Sequence, residues 1–255
     1  HKKSKSELMD FLGECDAKVY GISAWSEGYK ITKDMAALIR RKNPDATIIV
    51  GGILSRSDQA LFENTEIDVA VTSADGHLVL PEILDSLEKG QDLSDISGIS
   101  WRGPGRTRVV NPERPLMTKQ QYQDSPIPAY EYFENEIREL VETVSHQGYG
   151  RGDRKAEPVA APFPLMVTRG CPFDCTFCGF MEGQRFFRRK WEDMFDEIEY
   201  LINEFGIQNF ISNDTNLCFH DRDVDAYCEQ YAKRDCSFRV IGNYRPTFGS
   251  REAVK

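Results

Sequence analysis

The chain has 255 residues, 40% hydrophobic and 29% charged, which accommodates about two domains with packed cores. Its formal net charge of -9 argues against a nucleic-acid-binding protein, whose surface is normally basic. No apolar run is long enough to span a bilayer, no secretory signal is visible, and seven cysteines with three grouped together indicate a reducing cytoplasm rather than a disulfide scaffold.

The first part of the sequence alternates predicted strands and helices. Residues 17–23, 46–50 and 67–71 are short apolar runs rich in β-branched side chains, which is typical of buried strands. Residues 31–39 and 80–87 have the apolar spacing of helices. This alternation predicts an α/β fold with a parallel, doubly wound sheet, whose ligands bind at the carboxyl ends of the strands.

Small and polar residues follow each of these three predicted strands. At the second strand end, the pair Gly51 and Gly52 lets a flat or bulky ligand approach the backbone, although tight turns also use glycine for geometry alone. The candidate binding residues at the three ends are Ser23, Ala24, Trp25, Ser26, Gly51, Gly52, Ser73, Ala74 and Gly76.

A predicted β-hairpin over residues 99–110 ends the first domain. The two prolines in residues 125–129 predict an extended boundary segment, and residues 130–144 are compatible with a helix. We therefore expect a first domain over residues 1–115, a linker over 116–160 and a second domain over 161–255.

Three cysteines close together are the strongest chemical signal in the sequence. Cys171, Cys175 and Cys178 lie within eight residues, and soft thiolate ligands select zinc, copper or iron-sulfur clusters. A structural zinc site normally has a fourth ligand and two Cys-x-x-Cys pairs, whereas only Cys175 and Cys178 have that spacing here. Three ligands on a four-iron cluster leave one iron open, so a catalytic iron-sulfur cluster is favoured over zinc.

The residues around the cysteines have the pattern of strand and helix units. Residues 164–168 form a short apolar run that would place the cysteine loop at the carboxyl end of a first strand. A helix with one apolar face follows from Trp191 and ends at Gly206. Strands over 208–213 and 237–242, with a helix over 221–233 between them, complete three strands, too few to close a barrel, so we expect a fragment of a longer protein.

The cysteine spacing resembles the Cys-x-x-x-Cys-x-x-Cys motif of the radical S-adenosylmethionine superfamily, which has a (β/α) barrel of the TIM type. The resemblance implies that Cys171, Cys175 and Cys178 bind a 4Fe-4S cluster, and that the fourth iron binds S-adenosylmethionine for reductive cleavage to a 5'-deoxyadenosyl radical. It also implies an external electron donor such as flavodoxin or ferredoxin. The residues expected near S-adenosylmethionine are Phe177, Gly179, Ser212, Asn213, Asp214 and Arg245.

Alternatives remain open for the last four of these residues. Ser212, Asn213 and Asp214 could equally cap the second strand and its turn, and Arg245 could be a solvated arginine.

The first domain resembles the cobalamin-binding domain that often precedes such a barrel. That family uses a Ser-x-Leu element and a Gly-Gly pair slightly under thirty residues apart, which are matched by Ser23 to Trp25 and by Gly51 with Gly52. Trp25 replaces the leucine, and the loop from Ser73 to His77 departs from the family pattern. No axial cobalt ligand is identified, because the loop that supplies one is missing here and His77 is a lone histidine.

These resemblances imply a cobalamin-dependent radical S-adenosylmethionine enzyme, most simply a methyltransferase acting on an unactivated carbon or phosphorus centre of a small-molecule or peptide substrate. Ring contraction or oxidative cyclisation without methyl transfer is an alternative. Another alternative is a radical S-adenosylmethionine enzyme whose first domain is degenerate and binds no cobalamin. A structural or electron-transfer module with iron-sulfur or zinc is the non-enzymatic alternative.

Overall fold

A computed structural model of the chain describes residues 4–145, 162–173, 175–176, 186–214, 216–217, 221–235 and 237–243. The chain divides into two compact units, and the division falls between Leu116 and Met117. No helix in these ranges is both long and apolar enough to cross a membrane.

The first unit is built on a mixed five-stranded sheet in the order β1-β2-β3-β4-β5. Its strands are β1 (Val19–Ser23), β2 (Thr47–Gly51), β3 (Val69–Val71), β4 (Ile99–Arg102) and β5 (Arg108–Val110). The first three run parallel, and β4 and β5 are antiparallel to their neighbours. This arrangement confirms the predicted α/β class, and it brings the carboxyl ends of β1, β2 and β3 to one edge of the sheet.

Helices cover both faces of this sheet. On one face, a core that includes Tyr20, Ile48 and Val50 packs with residues of α1 (Lys5–Glu14), α2 (Tyr29–Lys42) and α3 (Asp58–Asn64). On the other face, Ile49 and Val69 pack with Val79 and Ile83 of α4 (Gly76–Glu88). Adjacent residues of a strand point to opposite faces, so the run from Ile48 to Val50 is buried throughout, as expected for a strand covered on both sides.

The described part of the second unit contains three parallel strands and a separate hairpin. The helices are α5 (Lys119–Gln123), α6 (Glu134–Ser145), α7 (Trp191–Phe205) and α8 (Asp221–Ala232). The strands are β6 (Phe163–Leu165), β7 (Thr168–Gly170), β8 (Phe186–Arg188), β9 (Asn209–Ser212) and β10 (Arg239–Ile241). The parallel sheet has the order β10-β9-β6, and β7 pairs with β8 in the antiparallel hairpin.

Helix α7 contributes more residues to the core of this unit than any other described helix or strand. Met194, Phe195, Ile198 and Leu201 are fully buried, which confirms the apolar face predicted from their spacing. The helix ends at Gly206, whose φ of 68° lies in the left-handed region that glycine adopts without strain. The chain then enters β9, so that α7 connects two neighbouring parallel strands.

Candidate cofactor sites

The cysteine loop begins directly after β7. Cys171 and Cys175 are half-buried thiols that form no disulfide. Thiols at the end of a strand and partly open to solvent suit metal ligation better than thiols enclosed in a core would. Cys178, Phe177, Gly179 and Arg245, which the sequence also assigns to this site, lie outside the described residues. Within the described ranges, no three histidine, cysteine or carboxylate side chains gather into a metal site.

The strand that leads to this loop is shorter than predicted. The prediction of one strand over residues 164–168 is wrong, because β6 stops at Leu165 and β7 starts at Thr168. The backbone amide of Asn213 donates to the carbonyl of Leu165, which closes the ladder with β9. The amide of Val167, two residues further on, donates to the carboxylate of Asp214 at 3.0 Å and not to the backbone of β9. A side chain therefore ends the strand.

Asp214 is a buried anchor at this edge of the sheet, with 5% of its surface exposed. Besides the amide of Val167, it accepts a hydrogen bond from the hydroxyl of Ser212 at 2.6 Å. Burial raises the pKa of the Asp214 carboxyl, and the hydrogen bonds from Ser212, Thr168 and Val167 only partly oppose that rise. Both Ser212 and Asp214 thus bind groups of the protein, which agrees with the capping alternative for these two residues.

A buried amide next to this anchor was missed in the sequence. Asn216 is 3% exposed, and its side-chain oxygen Oδ1 accepts no hydrogen bond from any described residue. Its carbonyl accepts from the hydroxyl of Thr168 at 3.0 Å, which ties it to β7 just before Cys171. Asn213, by contrast, exposes its side chain to solvent. A buried acceptor without a donor is costly, so Asn216 is a better candidate ligand contact than Ser212 or Asp214. In the sequence, the run of polar residues that begins at Ser212 continues to Asn216, and this pattern could have identified Asn216 as a candidate.

In the first unit, the ends of β1 and β2 are joined side by side. Ser23 is the register partner of Gly51, and the amide of Ala24 donates to the carbonyl of Gly51 at 3.0 Å. The amide of Leu54 then donates to the carbonyl of Ala24 at 3.0 Å. Ser26 begins a short 3-10 turn, and Trp25 is 70% exposed. The backbone around Ala24 is therefore fixed, while the Trp25 side chain is free to contact a ligand.

The absence of a side chain has a different explanation at each of the two adjacent glycines. Gly52 has a φ of 82°, and a Cβ there would lie 2.6 Å from the carbonyl oxygen of Ala24, so the chain itself requires glycine. Nothing lies within 4 Å of a Cβ built on Gly51. The space over Gly51 fits the close approach of a flat group, as a cobalamin tail would need, whereas Gly52 is explained by backbone packing.

The loop that follows β3 is held by hydrogen bonds to other residues of the first unit. The amide of Ser73 donates to the carbonyl of Gly98 at 3.0 Å, and its hydroxyl accepts from the amide of Asp75 at 3.1 Å. Gly76 already belongs to α4, and Ala74 is half-buried. His77 lies in the first turn of α4, so the expectation that it stands on a loop is wrong.

Comparison with known proteins bears on both units. No protein-family model matches the chain. It is 27% identical over 208 residues to an uncharacterized methyltransferase of Pyrococcus horikoshii, covering 80% of this chain and 40% of the relative. It is also 27% identical over 238 residues to the anaerobic magnesium-protoporphyrin IX monomethyl ester cyclase of Rubrivivax gelatinosus, covering 91% and 40%. The chain thus spans about 40% of the length of these curated relatives.

Two solved structures share the fold. The cobalamin-dependent S-adenosylmethionine radical enzyme OxsB, solved with aqua-cobalamin and S-adenosylmethionine, matches 94% of this chain and 32% of its own with a TM-score of 0.69 at 17% identity. The methyltransferase TsrM of Kitasatospora setae, solved with cobalamin and a 4Fe-4S cluster, matches 90% and 42% with a TM-score of 0.58 at 19% identity. In sequence and in fold, the chain is similar to the cobalamin-binding subgroup of the radical S-adenosylmethionine superfamily, the resemblance that its cysteine motif and glycine pair predicted.

Proposed function

We propose that this chain is the cobalamin-binding domain and the first barrel units of a cobalamin-dependent radical S-adenosylmethionine methyltransferase. Residues 1–115 are the cobalamin-binding domain, 116–160 the linker and 161–255 the start of the barrel. The observation that carries the proposal is the cysteine loop at the carboxyl side of a parallel sheet, held by Asp214 next to the open acceptor of Asn216. The similarity to proteins named as methyltransferases supports the same reaction class.

In this proposal, Cys171, Cys175 and Cys178 hold the 4Fe-4S cluster, and Asp214 keeps the loop in place without touching it. Asn216 accepts a hydrogen bond from a donor group of S-adenosylmethionine, with Asn213, Phe177, Gly179 and Arg245 as further contacts. When bound, the cluster and S-adenosylmethionine supply a carbon radical by one-electron reductive cleavage, and cobalamin supplies a transferable methyl group.

In the first domain, Gly51 leaves room for the cobalamin tail. Ser23, Ala24, Trp25 and Ser26 form one wall of that site, and the residues following β3, Ser73, Ala74 and Gly76, form another. Gly52 acts through the backbone, because it allows β2 to approach Ala24. The grouping of three of the seven cysteines suits a reducing compartment, in which a thiolate-bound cluster persists.

The first test is the content of iron, cobalt and zinc in the full-length protein, purified without oxygen from cells supplied with cobalamin. We expect roughly four irons and about one cobalt per chain. The Cys171→Ala variant should lose the iron and keep the cobalt, and Gly51→Val should do the reverse. About one zinc without iron would instead support a structural metal module.

A second candidate is cyclisation without methyl transfer. It is favoured by the similarity to the cyclase of Rubrivivax gelatinosus, which extends over 91% of this chain. The two reactions differ in their products, because methyl transfer from S-adenosylmethionine releases S-adenosylhomocysteine. Detection of 5'-deoxyadenosine together with S-adenosylhomocysteine in turnover assays supports methyl transfer, and 5'-deoxyadenosine alone supports cyclisation.

A further inference from the structure

A cationic cavity opens beside the cysteine loop in the second unit. It has a volume of about 760 Å³, and Pro172 and Phe173 line it. These two residues lie between Cys171 and Cys175, so the cavity wall includes the loop assigned to the cluster. A carrier bound in this cavity would be separated from the cysteines by little more than the loop itself.

The charge of this cavity is opposite to that of the chain. Among the described residues that line it, five side chains are cationic and two, Glu192 and Asp223, are acidic, although the whole chain carries a net charge of -9. The five are Lys119, Arg188, Arg189, Lys190 and Arg222. Such a local reversal of sign attracts an acidic partner and orients it as it approaches.

Two of the five cations are already neutralised. Arg188 pairs with Asp223 at 2.5 Å, and Arg189 pairs with the buried Glu197. Lys119, Lys190 and Arg222 are exposed, and no ion pair joins any of them to another residue in the described ranges. The excess positive charge therefore stands at the solvent side of the cavity, where a protein surface can reach it.

The backbone adds to this field. Lys190, Trp191 and Glu192 form the start of α7, and Arg222 and Asp223 belong to the first turn of α8, so the amino ends of two helices meet at the cavity. Each amino end carries a partial positive charge. The indole N–H of Trp191 is buried and has no acceptor within the described parts of the chain. One buried donor without an acceptor therefore lies at the wall that carries the exposed cations.

We propose that this cavity is the docking point for the acidic surface of the one-electron carrier that reduces the cluster, a small protein of the flavodoxin or ferredoxin type. This inference rests on the proposed function and names the partner of the same site. In the docked pair, one electron leaves the reduced carrier and enters the cluster, so the carrier is oxidised by one electron and no bond forms or breaks at the surface. The exposed position of the three free cations favours a protein surface over a small anion.

The test uses flavodoxin as the probe and the full-length protein with and without its cluster. The charge-reversal variant combines Lys119→Glu, Lys190→Glu and Arg222→Glu. A control variant with the same change in net charge combines Lys30→Glu, Lys33→Glu and Lys233→Glu, at exposed positions that do not line the cavity. Lys233 lies just past the opposite end of α8 from Arg222, about 16 Å along the helix axis.

We expect the cavity variant, but not the control, to bind flavodoxin about tenfold or more weakly at low salt, with or without the cluster. Cleavage of S-adenosylmethionine driven by dithionite should be unchanged, while cleavage driven by reduced flavodoxin should fall. Equal flavodoxin binding by the cavity variant and the wild type would overturn the docking inference, as would cation-dependent binding of inorganic phosphate without binding of flavodoxin. Failure of the wild type to cleave S-adenosylmethionine with dithionite would overturn the proposed function instead, because the binding measurement without the cluster does not depend on it.

Discussion

The carboxylate of Asp214 accepts a hydrogen bond from the backbone amide of Val167 at 3.0 Å, across 47 residues of sequence. Val167 is fully buried and lies four residues before Cys171. A residue that follows β9 therefore determines where β6 ends, before the chain forms β7 and reaches the cysteine loop. Under the proposed function, this contact makes Asp214 a positioning residue for the cysteine loop, without any contact with the cluster.

Replacement of Asp214 should weaken both folding and cluster loading. Asp214→Ala leaves the buried amide of Val167 without an acceptor, and we expect a loss of about 2–4 kcal/mol in the free energy of unfolding. Iron content after reconstitution should fall to about half or less, because the loop loses its anchor. Ser212→Ala is the control, since it removes one donor to Asp214 but keeps the bond to Val167. Wild-type iron content in Asp214→Ala would contradict the anchoring role.

The same carboxyl should give a recognisable pH dependence. Its pKa is raised above the ordinary value of 3.8, chiefly by burial, so the folded protein binds more protons than the unfolded chain just above that pH. Its contribution to stability is therefore fully present below pH 3.8 and is lost as the pH rises through the folded pKa. Asp214→Asn removes this titration. Denaturant unfolding at several pH values should show the stability of the wild type falling relative to Asp214→Asn as the pH rises, and a constant difference would refute the assignment.

The adjacent glycines should respond differently to the same substitution. Gly52→Ala places a methyl group against the carbonyl of Ala24 at a positive φ, and we expect about 1–3 kcal/mol of destabilisation. Gly51→Ala enters open space and should change stability by no more than about 0.5 kcal/mol.

For cobalamin affinity, unlike stability, the informative substitution is the one at Gly51. We expect Gly51→Ala to weaken cobalamin about tenfold in equilibrium titrations, because its methyl group occupies the space left for the ligand. Unchanged affinity in Gly51→Ala would remove this residue from the proposed site. A stable Gly52→Ala protein would show that β2 reaches Ala24 in another way.

A buried ion pair in the second unit also accepts a hydrogen bond from Tyr130. Glu197 is 2% exposed, pairs with Arg189 and accepts a hydrogen bond from the hydroxyl of Tyr130. Arg189→Met leaves this carboxylate buried without its cation, and we expect a loss of about 3–5 kcal/mol. Tyr130→Phe keeps the ion pair and should cost only about 1–2 kcal/mol.

Hydrogen exchange of peptides from α7 measures this effect locally. Faster exchange is expected in Arg189→Met, and the double variant Arg189→Met with Glu197→Gln should recover part of the protection, because the charge is gone. Equal protection in the wild type and Arg189→Met would show that the pair does not stabilise the helix.

The sequence predicted features that depend on local pattern. The apolar spacing from Met194 to Leu201 and the glycine at 206 predict α7 and its end, because burial follows the helical period. The role of Asp214 could not be predicted in the same way, since a carboxylate after a strand looks the same whether it binds a ligand or a distant amide. Gly51 and Gly52 are likewise identical in the sequence, and only the position of Ala24 distinguishes them.

The anchor of the cysteine loop has a consequence for the order of assembly. Because Val167 follows β6 and Asp214 follows β9, with α7 between them in the sequence, their bond can form only after that helix has packed and closed a long loop. A chain still emerging from the ribosome with β6 exposed but β9 unmade would carry the cysteines without the support that orders them. Cluster insertion is therefore expected to follow the folding of this βαβ unit, so that iron marks the chains that have folded.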